Sequence, residues 1–146
     1  MGAKQDRTDR ARRRQVGALC WRFGEAGVEV LLITSRDTGR WVIPKGHRMD
    51  GVSDASAAAQ EALEEAGVAG ELIEAPLGVF HYMKRLSGKA ARRTTVQVYP
   101  LKVTAELEDW KEARERTRRW FPPAEAAGCV DEPELKALLL DFRPQD

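Results

Sequence analysis

At 146 residues and 16.3 kDa the chain has the length of one domain, and a domain of that size buries roughly two-thirds of its unfolded surface without cross-links. Hydrophobic residues make up 42% and charged residues 32%, with a mean hydropathy of −0.49. That balance excludes a disordered chain, and no apolar run has the length to cross a bilayer. The net charge of +1 hides a separation: basic runs lie at Arg7 to Arg14, Lys84 to Arg93 and Arg114 to Arg119, while Glu61, Glu64, Glu65 and Glu106 to Asp109 carry much of the acid.

In chain order, residues 1–14 are Arg-rich with hardly any apolar anchor and are expected to form a loose basic arm, leaving 15–146 as the domain. The arm lacks the apolar core of a secretory signal, so a cytoplasmic location is expected. Val16 to Trp21 and Val28 to Ile33 are β-rich apolar runs separated by Gly24 to Gly27, a hairpin or neighbouring pair. Trp41 to Ile43 is a third short strand stopped by Pro44. Cys20 and Cys129 lack metal-ligand spacing and read as reduced thiols.

Next comes a helix. Ser53 is a candidate N-cap, Asp54 lies in the first turn, and Gly67 is placed to end the helix in a left-handed conformation. Ala55, Ala59, Ala62, Leu63 and Ala66 recur at helical spacing, which predicts close packing on a sheet through small side chains. Leu77 to Lys84 and Thr95 to Thr104 read as longer strands joined near Gly88. Trp120 and Phe121 read as a short strand, Pro123 to Ala127 as a helix turn, and Glu134 to Phe142 as an amphipathic closing helix. This mixed order predicts an α/β layered domain with antiparallel pairs.

Glu61, Glu64 and Glu65 are related as i, i+3 and i+4, a spacing that puts three carboxylates on one helix face. Their mutual repulsion is offset most directly by a hard divalent cation, and Mg²⁺ prefers carboxylate oxygens while keeping waters that a phosphate can replace. A solvated Glu-rich helix face is the plain alternative for these residues taken alone. Their context is more specific: Gly46 follows a strand, a loop comes next, and the helix ends in EEAGV.

Gly46 to Val68 resembles the Nudix box, a glycine, a loop and a helix of the form R-E-apolar-x-E-E-x-G-apolar, here Gln60 to Val68. The resemblance implies the Nudix fold, an α/β/α sandwich with a central mixed sheet, and a hydrolase acting on phosphoanhydrides. It implies metal ligation by Glu61, Glu65 and Glu64, with Glu64 also as proton acceptor and the Gly46 carbonyl as a further ligand. The implied cofactor is Mg²⁺, with Mn²⁺ as a substitute. Two positions depart from the pattern: Val52 stands where the loop glutamate is expected, and Gln60 where an arginine braces the carboxylates. The first removes a potential metal ligand, and the second replaces a charge by an amide.

Outside the box the chain is similar to diphosphoinositol polyphosphate phosphohydrolases from about Arg13 to Phe121. The carrying segments include GALCWR, TSRDTGRWVIP and, most specifically, ELEDW followed by RRWF. This implies a polyanionic small-molecule partner held by Arg13, Arg14, Ser35, Arg36, Arg92, Arg93 and Arg118, with Arg116 as a neighbouring candidate. Lys45 and His47 stand where that subfamily more often has glycines; Lys45 is read as an added phosphate contact and His47 as a loop residue. The leading substrates are diphosphoinositol or diadenosine polyphosphates. A housekeeping nucleotide pyrophosphatase, acting on a nucleoside triphosphate, an ADP-sugar or an RNA 5′ end, and a polyphosphate-binding module without catalysis are the alternatives. Neither a membrane nor DNA is expected as a partner, and the sequence leaves the oligomeric state unknown.

Overall fold

The structure, a computed structural model, describes residues 14–145. Arg13 and most of the N-terminal arm lie outside the described residues, and Arg14 already belongs to the first strand. The strands are β1 (Arg14–Gly24), β2 (Gly27–Thr34), β3 (Trp41–Val42), β4 (Lys45–His47), β5 (Val68–Leu72), β6 (Gly78–Arg85), β7 (Ala91–Glu106) and β8 (Arg118–Phe121). The helices are α1 (Asp54–Ala66), α2 (Pro123–Cys129) and α3 (Pro133–Asp141).

All eight strands join one mixed sheet along the path β3-β2-β1-β7-β5, with β4 on β1, β6 on β7 and β8 on β2. The β1–β7 ladder is parallel, from Arg14↔Thr95 to Trp21↔Lys102, and the other pairings are antiparallel. Helices cover both faces, so the expected α/β/α sandwich is present. Alternation along the strands divides the core. Leu19, Val30, Leu32, Phe80 and Val98 face α2 and α3, whereas Val16, Ala18, Cys20, Leu31 and Ile33 face α1. Among the described residues no helix is long and apolar enough to cross a membrane.

Helix α1 forms where its caps predict. Ser53 Oγ accepts the Ser56 N–H at 3.1 Å, and Gly67, at φ 67°, closes the other end with its N–H on Leu63 O. The buried stripe runs through Ala55, Ala58, Ala62, Glu65 and Ala66, so Leu63 and Ala59 sit half-buried at its edge.

A helix end leaves its last carbonyls without partners inside the helix, and here the segment after β7 supplies them. Glu112 N–H donates to Glu64 O at 3.1 Å, and Trp110 Nε1 to Glu65 O at 3.0 Å. Arg118 donates to Ala66 O at 2.9 Å, Gly67 O at 3.2 Å and Leu107 O at 2.7 Å, with its guanidinium 4.0 Å from the Trp110 ring centre. The ELEDW and RRWF segments therefore clamp the C-terminal end of the glutamate helix.

Candidate active site

A cleft of about 550 Å³ opens at one end of the sheet, between the glutamate face of α1, the 35–40 turn, β4, the end of β6 and the segment that clamps α1. Its acidic side is made by Glu61 and Glu65 from α1 and Glu112 from the clamp. Residues four apart on a helix are turned by roughly 40° and residues three apart by roughly 60° the other way, so Glu61 stands between Glu65 and Glu64 on one face. Glu61 and Glu65 face the cleft together, and Glu64 does not line it. Instead Glu64 accepts from Gln60 Nε2 at 2.8 Å and Lys111 Nζ at 3.0 Å. The three carboxylates share a helix face as expected, but only two of them line the cleft, and the third lies at the rim.

Burial pushes Glu65 up to about 8; the Arg116 guanidinium opposes this and Glu61 adds to it. Glu61 is raised chiefly by burial too, a hydrogen bond with Glu65 opposing the rise and the Glu64 charge adding to it. Glu64 is held below its ordinary value by its hydrogen bonds from Gln60 and then Lys111. The two cleft carboxylates are therefore raised chiefly by burial, and the rim carboxylate is not.

That desolvated pair is the observation against which a cation can be tested. Gly46 runs so close to Glu61 that a Cβ on it would meet the carboxylate and push it from its present position. Glu65 also accepts the Lys45 N–H at 3.3 Å, which ties β4 to α1. Among the described residues no three His, Cys, Asp or Glu side chains converge as a complete metal cage. Two oxygen-bearing side chains beside a backbone strand nevertheless fit a hard cation that retains several waters.

The expected substrate residues separate into two sets. Ser35, Arg36 and Lys45 line the cleft. Arg14, Arg92 and Arg93 do not; Arg14 donates to Gln97 Oε1 at 3.4 Å instead. Arg118 is corrected as well, because its guanidinium is occupied by the α1 carbonyls, and Arg116 lines the cleft in its place. Arg116 is only 9% exposed and lies between Glu112, at 2.8 Å, and Glu65, at 3.7 Å. Val52 is 49% exposed in the loop and lies outside the lining.

Sequence reading missed Glu112, Arg40, Tyr82 and Lys84, all of which line the cleft. Glu112 had a weak signal, an acid two residues beyond ELEDW and four before Arg116. Burial lowers the Lys45 ammonium below its usual range, the Glu65 charge opposing this.

The cleft at the edge of this α/β/α sandwich is lined by acids and bases together. The comparisons give the family. The chain matches the NUDIX domain across residues 11–141 and belongs to the Nudix family. It is 41% identical over 102 residues to Nudix hydrolase 12, mitochondrial, of Arabidopsis thaliana, covering 68% of this chain and 50% of the relative. To diphosphoinositol polyphosphate phosphohydrolase 3-beta of Homo sapiens it is 37% identical over 117 residues, covering 78% of this chain and 66% of the relative. The chain thus spans half to two-thirds of these relatives. Its fold is similar to a C. elegans Ap4A hydrolase binary complex, with a TM-score of 0.63, 21% identity, and coverage of 87% of this chain and 92% of that one. Nudix hydrolases generally use divalent metal ions.

Proposed function

We propose that the chain is a Mg²⁺-dependent pyrophosphohydrolase, able to use Mn²⁺, that cleaves a phosphoanhydride in diphosphoinositol or diadenosine polyphosphates. The observation that carries this is the Glu61 and Glu65 pair beside Gly46, two desolvated carboxylates facing one cleft. The diphosphoinositol relative and the Ap4A hydrolase neighbour support the substrate class.

Glu61 and Glu65, next to Gly46, are assigned as the residues that hold the ion. A divalent ion there would neutralise phosphate charge and lower the pKa of a water. Arg116 keeps Glu65 and Glu112 from drifting apart, since its guanidinium faces both. Ser35, Arg36 and Lys45 face the substrate from the opposite sides of the cleft. Glu64, ionised at the rim, is assigned as proton acceptor; Glu112 competes for that role because it lines the cleft. Glu64→Gln and Glu112→Gln decide between them, the acceptor being the one whose loss lowers kcat with KM little changed.

The test is Mg²⁺-dependent turnover, read chromatographically as loss of substrate and appearance of product, of a diphosphoinositol polyphosphate, diadenosine tetraphosphate, a nucleoside triphosphate and ADP-ribose. Faster turnover of the first two is expected. Preference for the last two would overturn the substrate class, and no turnover of any would overturn the hydrolase reading.

A further inference from the structure

The basic side chains of the cleft are not equivalent, because most already have carboxylate partners. Arg36 faces Glu112 at 3.8 Å and Glu115 at 3.4 Å. Arg40 is paired with Glu132 at 2.5 Å and Asp131 at 3.7 Å, and Arg48 with Asp54 at 2.9 Å. Arg116 lies between Glu65 and Glu112. A guanidinium neutralised in this way must give up an ion pair before it can take a phosphate, so little of its charge is available to a polyanion.

Lys45 and Lys84 differ. Among the described residues neither makes a salt bridge to a carboxylate, and nor does Arg85, the neighbouring cation of the lining; what sets the two lysines apart is that each is held by an uncharged side chain. Lys45 Nζ lies 4.4 Å from the centre of the Tyr82 ring, and Lys84 Nζ lies 3.2 Å from His47 Nε2. An ammonium can only donate, so in this contact the imidazole accepts and is neutral. Tyr82 is itself fixed by its hydroxyl, which donates to Gln15 Oε1 at 2.9 Å.

These four side chains meet across strands that do not pair with each other. On β4, Lys45 and His47 stand opposite Gly17 and Gln15 of β1. On β6, Tyr82 and Lys84 stand opposite Thr94 and Arg92 of β7, which pairs with β1 on its other side. Residues two apart on a strand share a face; through β1 and β7 the ladders set Lys45 level with Gly78 and His47 level with Phe80, so the contacts of Lys45 with Tyr82 and of His47 with Lys84 each bridge an offset of four residues and form two side-chain rungs across one end of the sheet. Each rung holds an ammonium by an uncharged partner. An aromatic face or a neutral imidazole attracts an ammonium without cancelling its charge, and two of the three N–H donors of Lys84 remain for a ligand.

We propose that Lys45 and Lys84 form a phosphate subsite on the β4–β6 wall for the part of a polyphosphate chain that extends beyond the Glu61 and Glu65 carboxylates, with Tyr82 and His47 as positioning residues. The subsite rests on the hydrolase reading of the cleft and deepens it: the enzyme selects substrates by the number of phosphates past the scissile anhydride. Lys84, nearer the mouth, senses chain length, and Lys45, beside Glu65, senses the presence of any phosphate.

Calorimetric titration of the full chain, without added metal, with inorganic diphosphate and inorganic tripolyphosphate tests this. Lys84→Met should weaken tripolyphosphate binding about tenfold, the size of one charge-assisted hydrogen bond, and change diphosphate binding less than about twofold. Lys84→Arg should restore most of the tripolyphosphate affinity. Lys45→Met should weaken both ligands, and adding Tyr82→Leu to it should cost nothing more, because Tyr82 acts through Lys45. Equal losses for both ligands in Lys84→Met, no loss for either, or failure of Lys84→Arg to recover affinity would overturn the proposal.

Turnover separates this claim from the one it rests on. If Mg²⁺-dependent hydrolysis is absent while the tripolyphosphate discrimination holds, the hydrolase reading falls and the subsite stands. If the enzyme turns over diadenosine tetraphosphate with a KM that Lys84→Met leaves unchanged, the subsite falls and the hydrolase stands.

Discussion

On one side of the sheet α3 meets it through large side chains, with Leu135 and Leu139 against Phe80, Leu19 and Leu32, all fully buried, while the short α2 beside it buries Ala126 and Ala127. On the other side α1 meets it through Ala55, Ala58, Ala62 and Ala66, set against Val16, Ala18, Leu31 and Ile33. Small side chains bring a helix closer to what it packs on, and on α1 that closeness is what lets Glu65 reach the Lys45 N–H and Glu61 lie against Gly46. No reactive group depends on how far α3 stands from the sheet, so side-chain size is free to serve stability there. The alanines of α1 are therefore part of the site's geometry, and the leucines of α3 part of the fold's stability.

That contrast predicts different failures on the two faces. Leu135→Ala should destabilise the protein by about 2–5 kcal/mol through the cavity it leaves, and should leave turnover per folded molecule unchanged; denaturant unfolding beside an active-site titration reads both. Ala62→Leu should cost less stability, about 1–3 kcal/mol of overpacking, yet reduce turnover far more, because it lifts α1 away from β4. If Leu135→Ala lost turnover as severely as Ala62→Leu, the division between the faces would be wrong.

The buried pair adds a pH dependence confined to the α1 face. Glu65 in the folded, metal-free protein is raised to about 8 from an ordinary value of 4.5, chiefly by burial. A raised carboxyl contributes stability that is fully present below the ordinary value and is lost as pH rises through about 8. The Tm of the metal-free protein should therefore fall between pH 5 and pH 9, values chosen to bracket that about 4-to-8 interval, and Mg²⁺ should offset the fall. Glu65→Gln should flatten the profile, and an unchanged slope in that variant would assign it to other groups. A smaller effect is expected at the rim: Lys111→Ala should leave Tm nearly unchanged, because the Lys111 side chain is 71% exposed, while the pKa of Glu64 rises toward its ordinary value as one of its donors is lost. A shift of the acid limb of the kcat profile to higher pH in this variant would support Glu64 as the proton acceptor.

Much of this was legible in the sequence because it depends on local rules. The caps Ser53 and Gly67, the alanine stripe and the i, i+4 pair Glu61 and Glu65 follow from helix geometry. What was missed depends on pairing across the chain. Strand β4 is three residues, Lys-Gly-His, with no apolar signal, and exists through its ladder to Gln15 and Gly17. Strand β5, with Gly70 in its middle, exists through its pairing with the end of β7. Which cations face the cleft could not follow from a basic run either: Arg116 and Arg118 are two residues apart, and the turn before β8 sends one into the cleft and the other onto the end of α1. Glu112 reaches the cleft for the same reason, since its own N–H is fastened to Glu64 O.

The most direct test of the central claim is calorimetric Mg²⁺ binding to Glu61→Gln, Glu65→Gln and Glu64→Gln beside the unaltered protein. The first two substitutions should weaken binding by about tenfold or more, while Glu64→Gln stays within about threefold, because its carboxylate is turned to Gln60 and Lys111. A loss in Glu64→Gln equal to that in Glu65→Gln would contradict the division of the box glutamates into a metal-holding pair and a rim carboxylate.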